Sequence, residues 1–254
     1  MNPAATLEIL LEAGNWDAVE EAAREGKAAL PILQHFARST SYETRQIALA
    51  CAASIGGEAA AEILAAGLTD PNINVRLQAA KELSSGKFPA AGPAVLEQLA
   101  HSDEFLIREP LALAAGYLPA DRAVPVLRTL SEGFGSLSVN ARMALAKLGD
   151  PEARAALVRE LSSSRPRTRY DALGELVYVN DVTLAPYAEK LLGDRESALR
   201  IGTVRRPQYR RVCDQAVDTI VFLLRLGPSF PVKPERIYTE PELEEIRDLV
   251  RRAR

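Results

Sequence analysis

The sequence predicts an all-α protein, one domain spanning residues 1–254 built as a solenoid of stacked two-helix units, and three observations carry that expectation. One short frame of residues recurs with a period of about 31 residues, the mark of a repeat architecture. Apolar residues make up 47% of the chain while aromatics supply only 6%, so the interior has to be made of Ala, Leu, Val and Ile. Ala and Leu are strong helix formers, and Ala lets helix axes approach closely. Within each unit the apolar positions recur at helical spacing.

The frame is clearest over residues 68–83, LTDPNINVRLQAAKEL. Asp70 and Pro71 can stop one helix and start the next, Pro fitting the first helical turn and Asp serving as a cap. Val75, Ala79, Ala80 and Leu83 then fall on one face, with Arg76 beside it. The frame returns at Thr44-Arg45 with Ala48, at Ile107-Arg108 with Ala112, at Ala141-Arg142 with Ala144, and at Thr168-Arg169 with Ala172. Successive arginines lie 31, 32, 34 and 27 positions apart. A weaker sixth copy places Cys213 in the arginine position, with Ala216 and Ile220 following. Shorter amphipathic helices are expected before the copies, over residues 58–68, 91–100, 121–130, 151–161 and 182–192.

The two ends read as covers, which a solenoid needs because each repeat buries its faces only against neighbours. Residues 1–35 are expected to form an N-terminal cap into which Trp16 packs, residues 36–226 the repeats, and residues 227–254 an extended segment with a capping helix. A long apolar helix over 216–226 ends at Gly227-Pro228, and Thr239, Pro241 and Glu242 give a capping-box-like start to a last helix over 240–252. Tyr178, Tyr187 and Phe222 lie on apolar helical stripes and read as core.

Asp70, Pro71, Val75, Arg76, Ala79, Ala80 and Leu83 give a pattern, a D-P cap followed by x-V-R-x-x-A-A-x-x-L, that resembles HEAT-like repeats of the bilin-lyase type. The resemblance covers residues 36 to 226 and implies a right-handed α-solenoid of about six to seven HEAT-like helix-turn-helix repeats. Ser39, Ser102 and Ser164 stand where such repeats often carry Asp. Serine still caps a helix, but the departure argues against an Asp–Arg ladder between neighbouring repeats. The resemblance also implies a possible lyase role, since bilin lyases of this type act in pairs on phycobiliproteins. No residue here identifies a tetrapyrrole site, so fold analogy alone supports that role.

Catalytic chemistry has little to draw on. The two histidines, His35 and His101, have no ligand-forming neighbour at metal spacing, and no His-Glu dipeptide of the kind deoxyhypusine hydroxylase uses for iron is present. No metal and no cofactor is expected. Asp103-Glu104 and Glu244-Glu245 fit helix starts and solvated faces. The glycines fall between helices rather than after strands, so no phosphate-cradling loop is expected. Cys51 and Cys213 read as free buried thiols. The N-terminal segment lacks the basic start of a signal peptide, and no stretch reaches membrane-span length, which makes a cytoplasmic location the expectation.

Charge is the one uneven feature. Residues 1–100 hold 7 basic and 12 acidic side chains, a net charge of −5, whereas residues 195–211 hold six arginines against one acid, a net charge of +5. From Ala172 to Ala216 the step is 44 positions, about a dozen more than the normal period. The extra length is expected to be a loop that helps to bind. The candidate binding residues are Arg165, Arg167, Arg169, Tyr170, Arg200, Arg205, Arg206, Tyr209, Arg210 and Arg211. Guanidinium groups pair bidentately with carboxylate or phosphate, and Tyr170 and Tyr209 could stack on a base. The rival reading has the arginines bridging to acids such as Asp194, Asp214 and Asp218. The recurring Arg45, Arg76, Arg108, Arg142 and Arg169 read as inter-repeat hydrogen bonders. The leading function is a non-catalytic interaction module or scaffold, gripping a protein partner with an acidic segment through its concave face and the basic insertion. Nucleic-acid binding is the second reading, weakened by the acidic first half and a pI of about 5.6.

Overall fold

A computed structural model describes residues 3–203 and 205–253. Its contacts gather into two compact units, residues 1–148 and 149–254. The first unit is entirely helical: α1 (Pro3–Glu12), α2 (Ala18–Glu25), α3 (Leu30–Phe36), α4 (Tyr42–Ile55), α5 (Glu58–Gly67), α6 (Ile73–Leu83), α7 (Gly92–His101), α8 (Phe105–Ala115), α9 (Ala120–Ser131) and α10 (Gly135–Lys147). The second holds α11 (Pro151–Glu160), α12 (Pro166–Val179), α13 (Ala185–Glu189), strands β1 (Ser197–Thr203) and β2 (Arg206–Arg211), then α14 (Val212–Leu224) and α15 (Glu240–Ala253).

The helices follow the frame. The second helix of each pair stacks on the next, α4 on α6, α6 on α8 and α8 on α10 in the first unit, and α12 on α14 in the second. The frame alanines Ala48, Ala79, Ala112, Ala144, Ala172 and Ala216 are all fully buried at these contacts. A small side chain there lets the helices close up, so Leu and Ile from both sides fill the remaining space. Ile47, Leu64, Ile107, Leu111 and Leu127 are fully buried with them. Each such side chain contributes about 1.5–3 kcal/mol through removal of apolar surface from water. The pairing begins earlier than residue 36: α3 already packs on α4 as its first-helix partner, and α2 packs on α4 ahead of it.

The turns are fixed by local chemistry. Ser41 Oγ accepts the Thr44 N–H at the start of α4, and Asn72 Oδ1 accepts the Asn74 N–H at the start of α6. The expected cap Asp70 instead accepts the Asn72 N–H, which frees it for a longer-range bond described below. Ser39 Oγ and Ser102 Oγ accept the N–H two residues on, from Ser41 and Glu104, so these serines shape the turns without capping the helices. In the third such turn Ser163 makes that bond, to the Arg165 N–H, and Ser164 does not. Thr239 N–H donates to Glu242 at the start of α15, the expected half of a capping box.

Four expectations are corrected. Trp16 is 52% exposed, whereas Leu7, Leu11, Ala18 and Ala22 of the packed pair α1 and α2 are fully buried. Tyr187 and Phe222 are exposed rather than core. Phe222 shares the face of α14 that carries Gln215 and Asp218, opposite the stripe of Ala216, Ile220 and Leu223. The inserted residues form an antiparallel β-hairpin rather than a loop. The alternation Leu199-Arg200-Ile201 was its signal: Leu199 and Ile201 are half-buried while Arg200 is exposed, as a strand on a packed surface requires. The first helix of that pair, expected over 182–192, is broken into short 3-10 turns on either side of the five-residue α13.

Candidate functional site

The arginines of the frame sort themselves by their partners. Arg45 binds Asp70 with both ends of its fork, Nε to Oδ2 at 2.7 Å and Nη2 to Oδ1 at 2.8 Å. Arg76 binds Glu104 in the same two-pronged way, its Nε lying 2.8 Å from Oε2. Arg169 reaches Asp194 at 2.7 Å and Glu196 at 2.8 Å. Each of the three also donates to the carbonyl six residues back, Ser39, Asp70 and Ser163 respectively. One guanidinium therefore ties its own turn to the next turn in the stack, and an acid–arginine ladder exists despite the serines at 39, 102 and 164. The acid is supplied by the following turn, at Asp70, Glu104 and Asp194. Arg108 and Arg142 hold local acceptors instead, the Leu99 carbonyl and Ser138 Oγ.

The ladder sets the charge state of its acids. Burial alone would raise the Asp70 carboxyl, but the bonds from Arg45 and from the Asn72 N–H outweigh it and hold the group below its ordinary value. The Arg76 guanidinium likewise lowers Glu104. Cys51, buried in α4, has its thiol pushed up to about 12 by that burial, which makes it inert rather than nucleophilic.

In the second unit the hairpin pairs Arg200 with Tyr209 and Leu199 with Arg210 across the strands, with an irregularity between Ser197 and Leu199. Side chains alternate across a strand, so the two pairs face opposite ways. β1 packs against α12 and β2 against α14. On the packed side Arg210 is only 2% exposed. Its Nη1 donates to Tyr170 Oη at 3.0 Å and its Nη2 to Asp218 Oδ2 at 2.8 Å. Tyr238 Oη donates to the other Asp218 oxygen at 2.6 Å. Beside them Arg211 binds Asp214, which is fully buried and also accepts the Tyr238 N–H. Burial raises the Asp218 carboxyl and the Tyr238 hydroxyl above their usual ranges. The cluster is a polar clamp that fixes the hairpin base and the 228–239 segment to α14, each charge paired with an opposite one, although Arg210 Nε is buried without a hydrogen-bond partner. Nothing local in the sequence marks Tyr238, one of two aromatics in a proline-rich run, the other being Phe230.

The candidate residues thus divide. Arg169, Tyr170, Arg210 and Arg211 belong to the framework and are not a free surface, the physical reason being that Asp194, Glu196, Asp218 and Asp214 hold the three guanidiniums. Arg167 pairs with Asp171 one turn on, at 2.8 Å and largely exposed, a contact of small energetic weight. Arg195, one of the six arginines of the insertion, binds Glu240. Arg200, Arg205, Arg206 and Tyr209 are all exposed on the hairpin, Arg200 and Tyr209 on one face and Arg206 on the other, and among the described residues no acid pairs with them. Arg165 is exposed at the start of α12, and among the described residues no bond joins it to the hairpin.

Stacked helix pairs with a buried Arg–Ala frame and an acid–arginine ladder define a HEAT-like helical repeat fold. No family model matches the chain, and no curated protein matches it. Among solved structures it is similar to the complex of CpcE and CpcF of phycocyanin lyase from Nostoc sp. PCC7120, with a TM-score of 0.59 over 100% of this chain and 95% of that chain at 18% identity. It is also similar to YibA from Escherichia coli, with a TM-score of 0.52 over 98% of this chain and 91% of that chain at 19% identity. At such identities the likeness is one of fold. Among the described residues no helix is long and apolar enough to cross a membrane.

Proposed function

We propose that this chain is a protein-interaction module whose basic hairpin receives an acidic segment of a partner protein. One observation carries the reading. Arg195, Arg210 and Arg211 are each bonded to an acid, while Arg200, Arg205 and Arg206 are exposed on the same hairpin with no acid partner among the described residues. A guanidinium without an acid of its own offers its fork to an arriving carboxylate, which accepts bidentate hydrogen bonds from it. Tyr209, directly opposite Arg200, adds an exposed apolar body of the kind interfaces favour. The similarity to a two-protein complex supports a fold used for holding protein partners. The reading is non-catalytic: the titratable groups that do converge, Arg210, Asp218 and Tyr238, are bonded through Asp218 and fix the hairpin. The lyase reading rests on fold analogy alone.

The geometry of Arg200 beside Tyr209 favours one second reading, since a guanidinium next to an aromatic face also suits a single-stranded nucleic acid. Fluorescence anisotropy separates the two. A labelled Glu-rich peptide is expected to bind the wild type and to be lost from the Arg200→Glu/Arg205→Glu/Arg206→Glu variant, with a labelled oligonucleotide binding more weakly. Tighter, steeply salt-dependent oligonucleotide binding would install the second reading, and peptide binding indifferent to the triple change would overturn the first.

A further inference from the structure

The first unit carries a second surface that the basic hairpin does not explain. Tyr42, Ile73 and Phe105 are each the first residue of a second helix, α4, α6 and α8, and each lies three positions before its frame arginine. All three are exposed, at 37%, 44% and 47%. The first turn of a solvated helix favours acidic residues, caps or proline, so large apolar side chains at this one position in three consecutive repeats are not what folding requires. Leu106 and the 97% exposed Phe134 extend the row, the Phe105 ring lying 4.0 Å from where a side chain on Gly135 would begin.

The row is rigid and its spacing is set. Arg45 fixes the turn before α4 to Asp70, Gln46 Nε2 donates to the Asn74 carbonyl at 3.1 Å, and Arg76 fixes the turn before α6 to Glu104. These bonds hold the three helix starts in register, so a ligand pays little to order them. Neighbouring packed helices are about 8–10 Å apart. An α-helix rises about 1.5 Å per residue, so residues seven apart lie roughly 10.5 Å along its axis, close to the upper end of that interval. A helix laid across the row presents one side chain to each repeat when its apolar residues recur every seventh position. The charges beside the row give the flanks: Glu43 in the first turn of α4, and Asp103 and Glu132 in the turns before α8 and α10, are exposed, and Arg38 is the one exposed base in the turns before these helices among the described residues. Glu43 is held ionised, its carboxyl lowered by its own backbone N–H and by the Tyr42 and Ser41 hydroxyls.

We propose that the helix starts bearing Tyr42, Ile73 and Phe105 form a docking track for an amphipathic helix of a partner protein, apolar at every seventh residue and basic on its flanks. The proposal rests on the reading of the chain as a protein-interaction module but not on the hairpin. The test uses a synthetic helical peptide with Leu at every seventh position and Lys beside each, and an isomer of identical composition with the Leu residues scattered around the helix, both titrated calorimetrically into the full chain. The ordered peptide is expected to bind, the isomer about tenfold more weakly or not at all. Tyr42→Ser/Ile73→Ser/Phe105→Ser and Glu43→Lys/Asp103→Lys are each expected to weaken the ordered peptide about tenfold or more. Circular dichroism confirms that the variants remain folded, and if the triple variant does not, Ile73→Ser alone serves. The hairpin variant Arg200→Glu/Arg205→Glu/Arg206→Glu is expected to bind the ordered peptide as the wild type does. Equal binding of both peptides, or binding unaltered by the row variants, overturns the track. Loss of the peptide only in the hairpin variant also overturns it, while retained Glu-rich peptide binding at the hairpin leaves the proposed function standing.

Discussion

Arg45 and Asp70, 25 residues apart in the chain, are joined by two parallel hydrogen bonds of 2.7 and 2.8 Å with both side chains about nine-tenths buried. Removing one partner leaves the other buried without a counter-charge. Arg45→Ala and Asp70→Ala are each expected to cost about 2–4 kcal/mol in urea unfolding, with a coupling energy of about 1–3 kcal/mol in the double-mutant cycle. A coupling near zero would remove the ladder from the account of what holds the repeats in register.

The same pair makes the fold acid-sensitive, and the sign follows from its lowered carboxyl. A group whose folded value lies below its unfolded value stabilises the fold above the unfolded value. That stabilisation is lost as pH falls through the folded value. Asp70 and Glu104 both behave so. Wild-type stability is therefore expected to fall below about pH 4, where unfolded carboxylates begin to protonate. Asp70→Asn cannot titrate at this position, so its deficit of roughly 2 kcal/mol at neutral pH is expected to shrink as thermal melts are taken to lower pH.

Arg210 and the exposed hairpin arginines are expected to answer differently to substitution. Arg210→Met strands the buried Asp218 and should cost about 3–5 kcal/mol, most of it recovered by adding Asp218→Leu. Arg200→Glu/Arg205→Glu/Arg206→Glu touches no bonded partner and should leave stability within about 0.5 kcal/mol per site. Melting curves and Glu-rich peptide binding measured on the same samples separate the framework arginine from the surface ones.

Gly86 has a positive φ of 74°, and a Cβ there would lie 2.4 Å from the Tyr117 ring, which itself carries the Lys147 ammonium 4.4 Å above its centroid. Gly86→Ala therefore meets both a left-handed backbone and a ring wedged in place. It is expected to cost about 2–3 kcal/mol by denaturant unfolding. Adding Tyr117→Ala should relieve the clash while leaving the backbone strain of about 1–2 kcal/mol.

The sequence by itself determined the repeat: helical spacing, frame alanines and turn residues are local signals, and each helix over 58–68, 91–100, 121–130 and 151–161 appears within a residue or two of where those signals place it. It marked the break between Ala172 and Ala216 and its charge, because composition and period need no partner to be seen. Tertiary structure alone decided which arginines are free. Arg200 and Arg210 are alike in sequence, and only strand register turns one to solvent and the other onto Tyr170 and Asp218. It also decided that acids from the following turn complete the ladder, since Asp70 and Asp194 each meet their arginine 25 residues away, and Glu104 meets its own 28 away. The exposure of Tyr42, Ile73 and Phe105 was hidden for the same reason. Helical periodicity says that an apolar residue shares a face, but which side of that face neighbours cover is settled only when the repeats stack.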